Sequence, residues 1–124
     1  MASRRDDRQA EIRLQVMRLI SAHPQMSSRQ VADKVGISNG SAYYVLSTLV
    51  EKGFIKLDSF QSSKNKLQYA YVVTPKGIRE KVQLTLRFID RKRQEFEALQ
   101  TEIRILEEEA SLAGEAIPSP RKLK

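Results

Sequence analysis

The fold is decided by residues 27–52, SSRQVADKVGISNGSAYYVLSTLVEK. Ser27 followed three positions later by Gln30 forms a capping box, which predicts that a helix begins here. Gly36 is the expected left-handed C-cap of that helix, where glycine is favoured. Ser38 then caps a further helix that runs to about the end of the segment. The segment therefore predicts two helices joined by a tight turn.

Another helix, the first in chain order, is predicted before this segment, over about 6–22, which makes the helix capped by Ser38 the third. Its apolar residues recur at spacings of three and four, which is typical of an amphipathic helix. The pair His23-Pro24 ends it. Three short helices with a tight turn between the last two predict a helix-turn-helix.

A β-hairpin is predicted directly after these helices. Residues 54–60 and 67–73 are rich in β-branched and aromatic side chains, and the turn-forming run 61–66 separates them. A hairpin in this position is called a wing. The predicted fold class is therefore mainly α with a small β-hairpin, a winged helix-turn-helix followed by a long C-terminal helix.

The long C-terminal helix is capped by Thr74, with Pro75 at its favoured first position. An apolar seam of imperfect heptads follows it along about 57 Å, at about 1.5 Å per residue, which is too long for the preceding domain to cover. We therefore expect it to dimerise through Val82, Ile89, Phe96, Leu99, Ile103 and Leu106.

The charge order on this helix favours an antiparallel pair. Residues 91–93 are basic and residues 107–109 are acidic, and an antiparallel pairing centred near residue 101 brings the two blocks together. In a parallel pair Glu102 would face Glu107, which costs stability. The prediction is a two-fold homodimer with antiparallel C-terminal helices.

The chain of 124 residues is predicted to contain a winged-helix domain over 1–74, a coiled-coil dimerisation helix over 75–113 and a disordered basic tail over 114–124. Its formal net charge is +7. The first part holds 11 basic and 6 acidic residues, whereas the second holds 8 of each. The surplus of positive charge in the first part favours a polyanionic partner there.

Enzyme and metal chemistry are not expected. The chain has no cysteine and one histidine, His23, and it has no nucleophile elbow or phosphate-binding glycine loop. No cofactor is predicted. The absence of cysteine and of any apolar run of about 20 residues predicts a cytoplasmic protein with no membrane partner.

Candidate DNA contacts lie on the outward face of the third helix and at the tip of the wing. In a helix-turn-helix this helix enters the major groove, where asparagine can pair with adenine and hydroxyls can bond bases or phosphates. Cationic wing residues can neutralise phosphates. The predicted contacts are Ser38, Asn39, Gly40, Ser41, Tyr43, Tyr44, Thr48, Lys64, Asn65 and Lys66.

The runs 26–38 and 42–55 resemble the MarR-type winged helix, and the run 69–77, YAYVVTPKG, is similar to the strand and junction of its subgroup associated with exopolysaccharide gene clusters. The resemblance implies a homodimeric, sequence-specific regulator of transcription on a pseudo-palindromic duplex site, with control of exopolysaccharide genes as the expected role. It does not identify a small-molecule effector.

Two other functions remain open from the sequence. A winged-helix module for protein interaction would present an apolar patch on the third helix, whereas Asn39, Ser41 and Thr48 are polar. A module that binds RNA or single strands would use stacked aromatic side chains, for which Tyr43 and Tyr44 are available.

Overall fold

Six elements follow one another in the computed structural model, which describes residues 4–61, 64 and 66–114. The order of helices and strands confirms the predicted fold class, a winged helix-turn-helix followed by a long helix. The elements are α1 (Arg4–Ala22), α2 (Ser28–Val35), α3 (Asn39–Glu51), β1 (Ile55–Gln61), β2 (Leu67–Val73) and α4 (Pro75–Leu112).

The turn between α2 and α3 forms as the sequence predicts. Ser27 and Gln30 make the reciprocal capping box: the Gln30 amide donates to Ser27 Oγ at 3.2 Å, and the Ser27 amide donates to Gln30 Oε1 at 2.9 Å. Gly36 adopts the left-handed conformation with φ 81° and donates its amide to Ala32 O at 2.8 Å. These local interactions stop α2 and fix the direction in which α3 begins.

One apolar core joins the three short helices, the base of the hairpin and the first part of α4. Each of the short helices buries one apolar face, so the core is built by amphipathic packing. Its buried members are Ala10, Leu14, Val16, Met17, Ile20, Val31, Ala32, Ala42, Leu46, Leu49, Ile55 and Leu84.

The wing is an antiparallel hairpin whose base enters the core. Ile55 pairs with Val73 at the base, and Gln61 pairs with Leu67 at the outer end. Ile55 is buried and Val73 packs against the core, whereas Leu67 is exposed. The Tyr71 amide donates to Pro24 O at 2.9 Å. The hairpin is therefore anchored both to the core and to the loop after α1.

The chain forms two compact units, which divide between Phe88 and Ile89. In the first unit, Leu84 is buried and Phe88 packs against the core, and Arg87 pairs with Asp7 at 3.0 Å. The domain boundary predicted after residue 74 coincides with the start of α4, but the first compact unit also includes the beginning of that helix. In the second unit, described to residue 114, none of residues 89–112 is buried.

Several element ends differ slightly from the sequence prediction. The first helix begins at Arg4, two residues before the predicted start, and α3 ends at Glu51 with Lys52 as its C-cap. The predicted disordered tail lies outside the described residues except for Gly114, which has φ 78°. None of the helices in the described part of the chain is long and apolar enough to cross a bilayer.

Candidate nucleic-acid interface

The start of α3 is held by two serine hydroxyls. Ser38 is the N-cap: its Oγ accepts from the Ser41 amide at 3.0 Å and donates to Ser41 Oγ at 2.8 Å. The Ser38 hydroxyl is therefore occupied in capping, whereas the Ser41 hydroxyl has accepted a bond and keeps its own hydrogen for an outside acceptor. Both residues are exposed.

The outward face of α3 is polar and exposed. Tyr43 and Tyr44 are 68% and 71% exposed, which is high for residues in the middle of a well-packed domain. On the opposite face of the same helix Ala42, Leu46 and Leu49 are buried. The predicted contact residues that reach this surface are Ser38, Asn39, Gly40, Ser41, Tyr43 and Tyr44, all exposed, while Thr48 is half-buried at its margin.

A groove of about 520 Å³ lies beside this surface, between α1 and α3. Arg13 lines it, and the buried Arg13 Nε has no hydrogen-bond partner among the described residues. None of the described residues that line the groove is acidic, so its polar lining favours an anion or a hydrogen-bond acceptor. The full lining is Gln9, Ile12, Arg13, Gly40, Ser41, Tyr44, Val45, Thr48 and Lys52.

Gln9, Arg13 and Lys52 were not predicted as part of the interface. Periodicity identifies which face of α1 is apolar, but it does not show which polar side chain borders a helix that follows about 30 residues later. The one sequence feature that points to Arg13 and Lys52 is the surplus of positive charge in residues 1–74, to which both belong.

The wing approaches the site through Tyr71. Burial, and to a smaller extent the nearby Tyr43 hydroxyl, raises the pKa of Tyr71 above its ordinary value of 10.0. The Tyr71 phenol therefore stays a neutral donor at physiological pH. A second groove of about 500 Å³ is lined by Tyr69 and Tyr71 of β2, by Leu57 of β1, and by residues 25–28 at the start of α2.

The predicted cationic residues of the wing, Lys64 and Lys66, are both exposed. The third predicted wing residue, Asn65, lies outside the described residues. Along the hairpin the nearest acidic residue is Asp58, which pairs with Lys56 at 3.5 Å. From Ser59 to Arg79 the sequence contains no acidic residue. The outer half of the wing therefore has a positive potential.

The six predicted dimerisation residues of α4 are all exposed in the single chain. Their exposed fractions run from 41% for Ile89 to 60% for Phe96. Exposed apolar side chains that recur along one helix are typical of an interaction surface rather than of a solvated helix. The set is Val82, Ile89, Phe96, Leu99, Ile103 and Leu106.

Residues 9–56 match the family described as winged helix-turn-helix DNA-binding. No curated protein matches the chain. The family match runs from within α1 to the first residues of β1 and agrees with the winged helix-turn-helix fold of these elements.

Solved structures extend the similarity beyond these residues. The PcaV transcriptional regulator from Streptomyces coelicolor in complex with its natural ligand is 25% identical, with 83% of this chain and 74% of that chain covered and a TM-score of 0.52. A MarR/EmrR family transcriptional regulator from Acinetobacter sp. ADP1 is 20% identical, with coverages of 82% and 72% and a TM-score of 0.55. Sso10a-2, a DNA-binding protein from Sulfolobus solfataricus, is 21% identical, with coverages of 78% and 94% and a TM-score of 0.54. The fold of the chain is therefore shared with these proteins.

Proposed function

We propose that this protein is a MarR-type transcriptional regulator that binds duplex DNA as a homodimer, with α3 of each copy in the major groove. The observation that carries the proposal is the contrast between the two faces of α3. One face is buried through Ala42, Leu46 and Leu49, and the other exposes Tyr43 and Tyr44 among small polar residues. Within the described part of the chain, neither tyrosine belongs to the apolar core.

The size and chemistry of α3 suit the major groove. That groove is about 12 Å wide and accepts one α-helix. Asn39 lies in the first turn, where residues of a recognition helix meet base edges, and its amide can pair with adenine. Ser41 and Tyr44 supply hydroxyls for bases or phosphates, and Gly40 leaves open space for a close approach.

The wing supports the same partner by its charge. Lys64 and Lys66 lie on an exposed hairpin with no acidic residue nearby in the sequence. Each phosphate that a lysine neutralises adds about 0.9 to the slope of log affinity against log salt concentration. In this proposal the wing supplies affinity for any sequence and α3 supplies the sequence preference.

The dimer is proposed on the exposed apolar residues of α4. Covering large aliphatic and aromatic side chains stabilises an interface by about 1.5–3 kcal/mol for each one fully buried. A second copy provides an identical apolar surface, so in a two-fold dimer each chain covers the exposed side chains of the other. Two copies of α3 then read two half-sites related by the same two-fold axis, which makes the site a pseudo-palindrome.

An antiparallel arrangement of the two α4 helices is proposed on charge. It matches Phe96 with Leu106 and Leu99 with Ile103 of the second copy, and it brings the basic block 91–93 to the acidic block 107–109. Within one chain Arg91 and Lys92 already lie 3.5 Å and 3.2 Å from the Glu95 carboxylate. The interchain pairs therefore compete with local ones, and most of the dimer stability comes from the apolar residues.

Control of exopolysaccharide genes is the finer part of the proposal. It is supported by the sequence YAYVVTPKG over 69–77, which is similar to the junction of the subgroup associated with those gene clusters. The sites bound in the genome of the source organism would test this part separately from DNA binding itself.

The test is duplex binding over a salt series for two double variants. Asn39→Ala with Tyr44→Ala is expected to lower specific affinity by about 1–3 kcal/mol for each pairing with a base that is removed, with nonspecific affinity unchanged. Lys64→Ala with Lys66→Ala is expected to weaken both and to lower the salt slope by about 2. A charge-matched control, Arg79→Ala with Arg104→Ala on α4, should leave the slope within about 0.5 of its original value if neither residue meets a phosphate.

Competition with single-stranded nucleic acid tests the main alternative, a module that binds unpaired bases. The two exposed tyrosines are also suited to stacking on unpaired bases. A protein that prefers single-stranded DNA or RNA to every duplex would contradict the proposal. Equal weakening of all duplexes by the Asn39 and Tyr44 changes would contradict the base-reading role of α3.

A further inference from the structure

Residues 74–77 form the junction between the wing and α4. This junction donates hydrogen bonds to three successive backbone carbonyls in the turn after α3. Lys76 Nζ donates to Lys52 O at 2.9 Å. The Thr74 hydroxyl donates to Gly53 O at 2.6 Å, and the Thr74 amide donates to Phe54 O at 3.0 Å. Two residues of the junction therefore satisfy every carbonyl in the turn that leaves α3.

These carbonyls are fixed relative to α3 itself. Gly53 is in the left-handed conformation with φ 76° and donates its amide to Val50 O at 3.0 Å. The Phe54 amide donates to Leu49 O at 2.9 Å. This turn is a continuation of the last hydrogen bonds of α3, so whatever holds it also holds the C-terminal end of that helix.

The same junction residues belong to the start of α4. Thr74 Oγ1 accepts from the Gly77 amide at 3.0 Å and so caps α4 while its hydrogen bonds Gly53 O. Gly77 lies so close to the turn that an added Cβ would stand 1.8 Å from Phe54 O. Only glycine permits this approach without a shift of the backbone.

Lys76 adds an interaction that does not depend on helix capping. Its ammonium group lies 5.3 Å from the centroid of the Phe54 ring, within the range of a cation–π interaction. It also places a positive charge at the C-terminal end of α3, where the helix dipole is negative. The side chain is anchored at both the carbonyl and the ring.

We infer that Thr74, Lys76 and Gly77 are positioning residues that fix the angle between α3 and the start of α4, and through it the half-site spacing that the dimer accepts. This inference rests on the proposed function, because α4 sets the half-site spacing only if it joins two DNA-bound copies. A stiff connection restricts the two recognition helices to one separation. A loose one lets them adapt to several.

The decisive variant is Lys76→Met, which keeps the length of the side chain and removes both the hydrogen bond and the cation–π interaction. Arg79→Gln is its matched control, because it removes the same charge from an exposed residue on the next turn of α4. Gly77→Ala is a second variant that forces the junction apart. If Gly77→Ala does not fold, Lys76→Met alone tests the positioning role of the junction.

Binding is measured on duplexes whose two half-sites are separated by different numbers of base pairs. A change of two base pairs turns one half-site by about 70° relative to the other. The original protein is expected to lose affinity on the order of 100-fold when both copies can no longer bind together. Lys76→Met is expected to lose less than about 10-fold, with Arg79→Gln matching the original protein.

A second readout reports the angle without DNA. The chain has no cysteine, so spin labels can be placed at Ser47→Cys on α3 and Gln83→Cys on α4 and diluted with unlabelled chain. The distance distribution is expected to broaden in Lys76→Met and to stay narrow in Arg79→Gln. A destabilised but still rigid junction would instead weaken all spacings equally.

The outcomes separate this inference from the proposed function. If the original protein shows no preference among duplex sequences, the proposed function fails and the inference fails with it. If the original protein prefers one spacing and Lys76→Met keeps both that preference and the narrow distance distribution, the positioning role is wrong while the function stands.

Discussion

The two compact units of the chain use their apolar residues in opposite ways. In the first unit, helices α1 to α3, the wing base and the start of α4 bury a single core that includes Met17, Leu46 and Leu49. In the described part of the second unit, large side chains such as Phe96 and Leu99 are more than half exposed. The first unit therefore buries its apolar residues in one core, whereas the described part of the second unit leaves an apolar face exposed.

The largest effect is expected from a change in the core of the first unit. Leu46 is 2% exposed. Leu46→Ala should lower the free energy of unfolding by about 2–5 kcal/mol, because it buries less apolar surface and also leaves a cavity. Chemical denaturation measures it, with Val50→Ala on the exposed side of α3 as the control. A decrease below about 0.5 kcal/mol would show that Leu46 is not a core residue.

A smaller effect that depends on protein concentration is expected in the second unit. Phe96→Ala should weaken the dimer by about 1.5–3 kcal/mol for each phenyl ring removed from the interface, with no change in the folding of a dilute single chain. Sedimentation equilibrium measures this. Ile105→Ala is the matched control, because Ile105 is similarly exposed, at 49%, but lies outside the heptad seam. Equal effects of the two changes would contradict the seam.

Much of the first unit could be predicted because its signals are local. Ser27, Gly36, Ser38 and Thr74 cap helices through partners within four residues, and spacing alone identifies them. The sequence does not show in the same way that the start of α4 packs into the core while the rest of the helix is exposed. Leu84 packs inward, whereas Val82 two residues earlier is exposed, and apolar spacing does not tell burial within a chain from burial between chains.

The candidate site could be predicted only in part for the same reason. The exposed face of α3 follows from its own periodicity, which identifies Asn39, Tyr43 and Tyr44. The groove beside it depends on Arg13 of α1, and the junction depends on the hydrogen bond from Lys76 to the Lys52 carbonyl. Interactions between residues more than 20 positions apart are set by packing, which a single sequence does not reveal.

A helix cap of the first unit provides a moderate effect. Ser27→Ala removes one half of the capping box and should lower the free energy of unfolding by about 1 kcal/mol. Thermal or chemical denaturation measures it. Ser28→Ala, one residue later and outside the capping positions, should change stability by less than about 0.5 kcal/mol. If the two changes cost the same, the capping box contributes nothing.

The smallest effect is expected from the ion pair between α1 and α4 in the first unit. Arg87 and Asp7 are 3.0 Å apart, with side chains 40% and 28% exposed. Solvent screens such a pair, so a double-mutant cycle with Asp7→Asn and Arg87→Gln should give a coupling of about 0.2–1 kcal/mol. A coupling well above this would mean that the pair, rather than Leu84 and Phe88, holds α4 to the core.

Selection of bound sequences from a random duplex pool tests the central claim most directly. Two copies of α3, each presenting Asn39 and Tyr44, should enrich sites with two-fold symmetry and one preferred separation of the half-sites. The same selection with Asn39→Ala and Tyr44→Ala should lose the enrichment. If the folded, dimeric protein enriches no sequence at physiological salt, the account of α3 as a reader of duplex DNA is wrong.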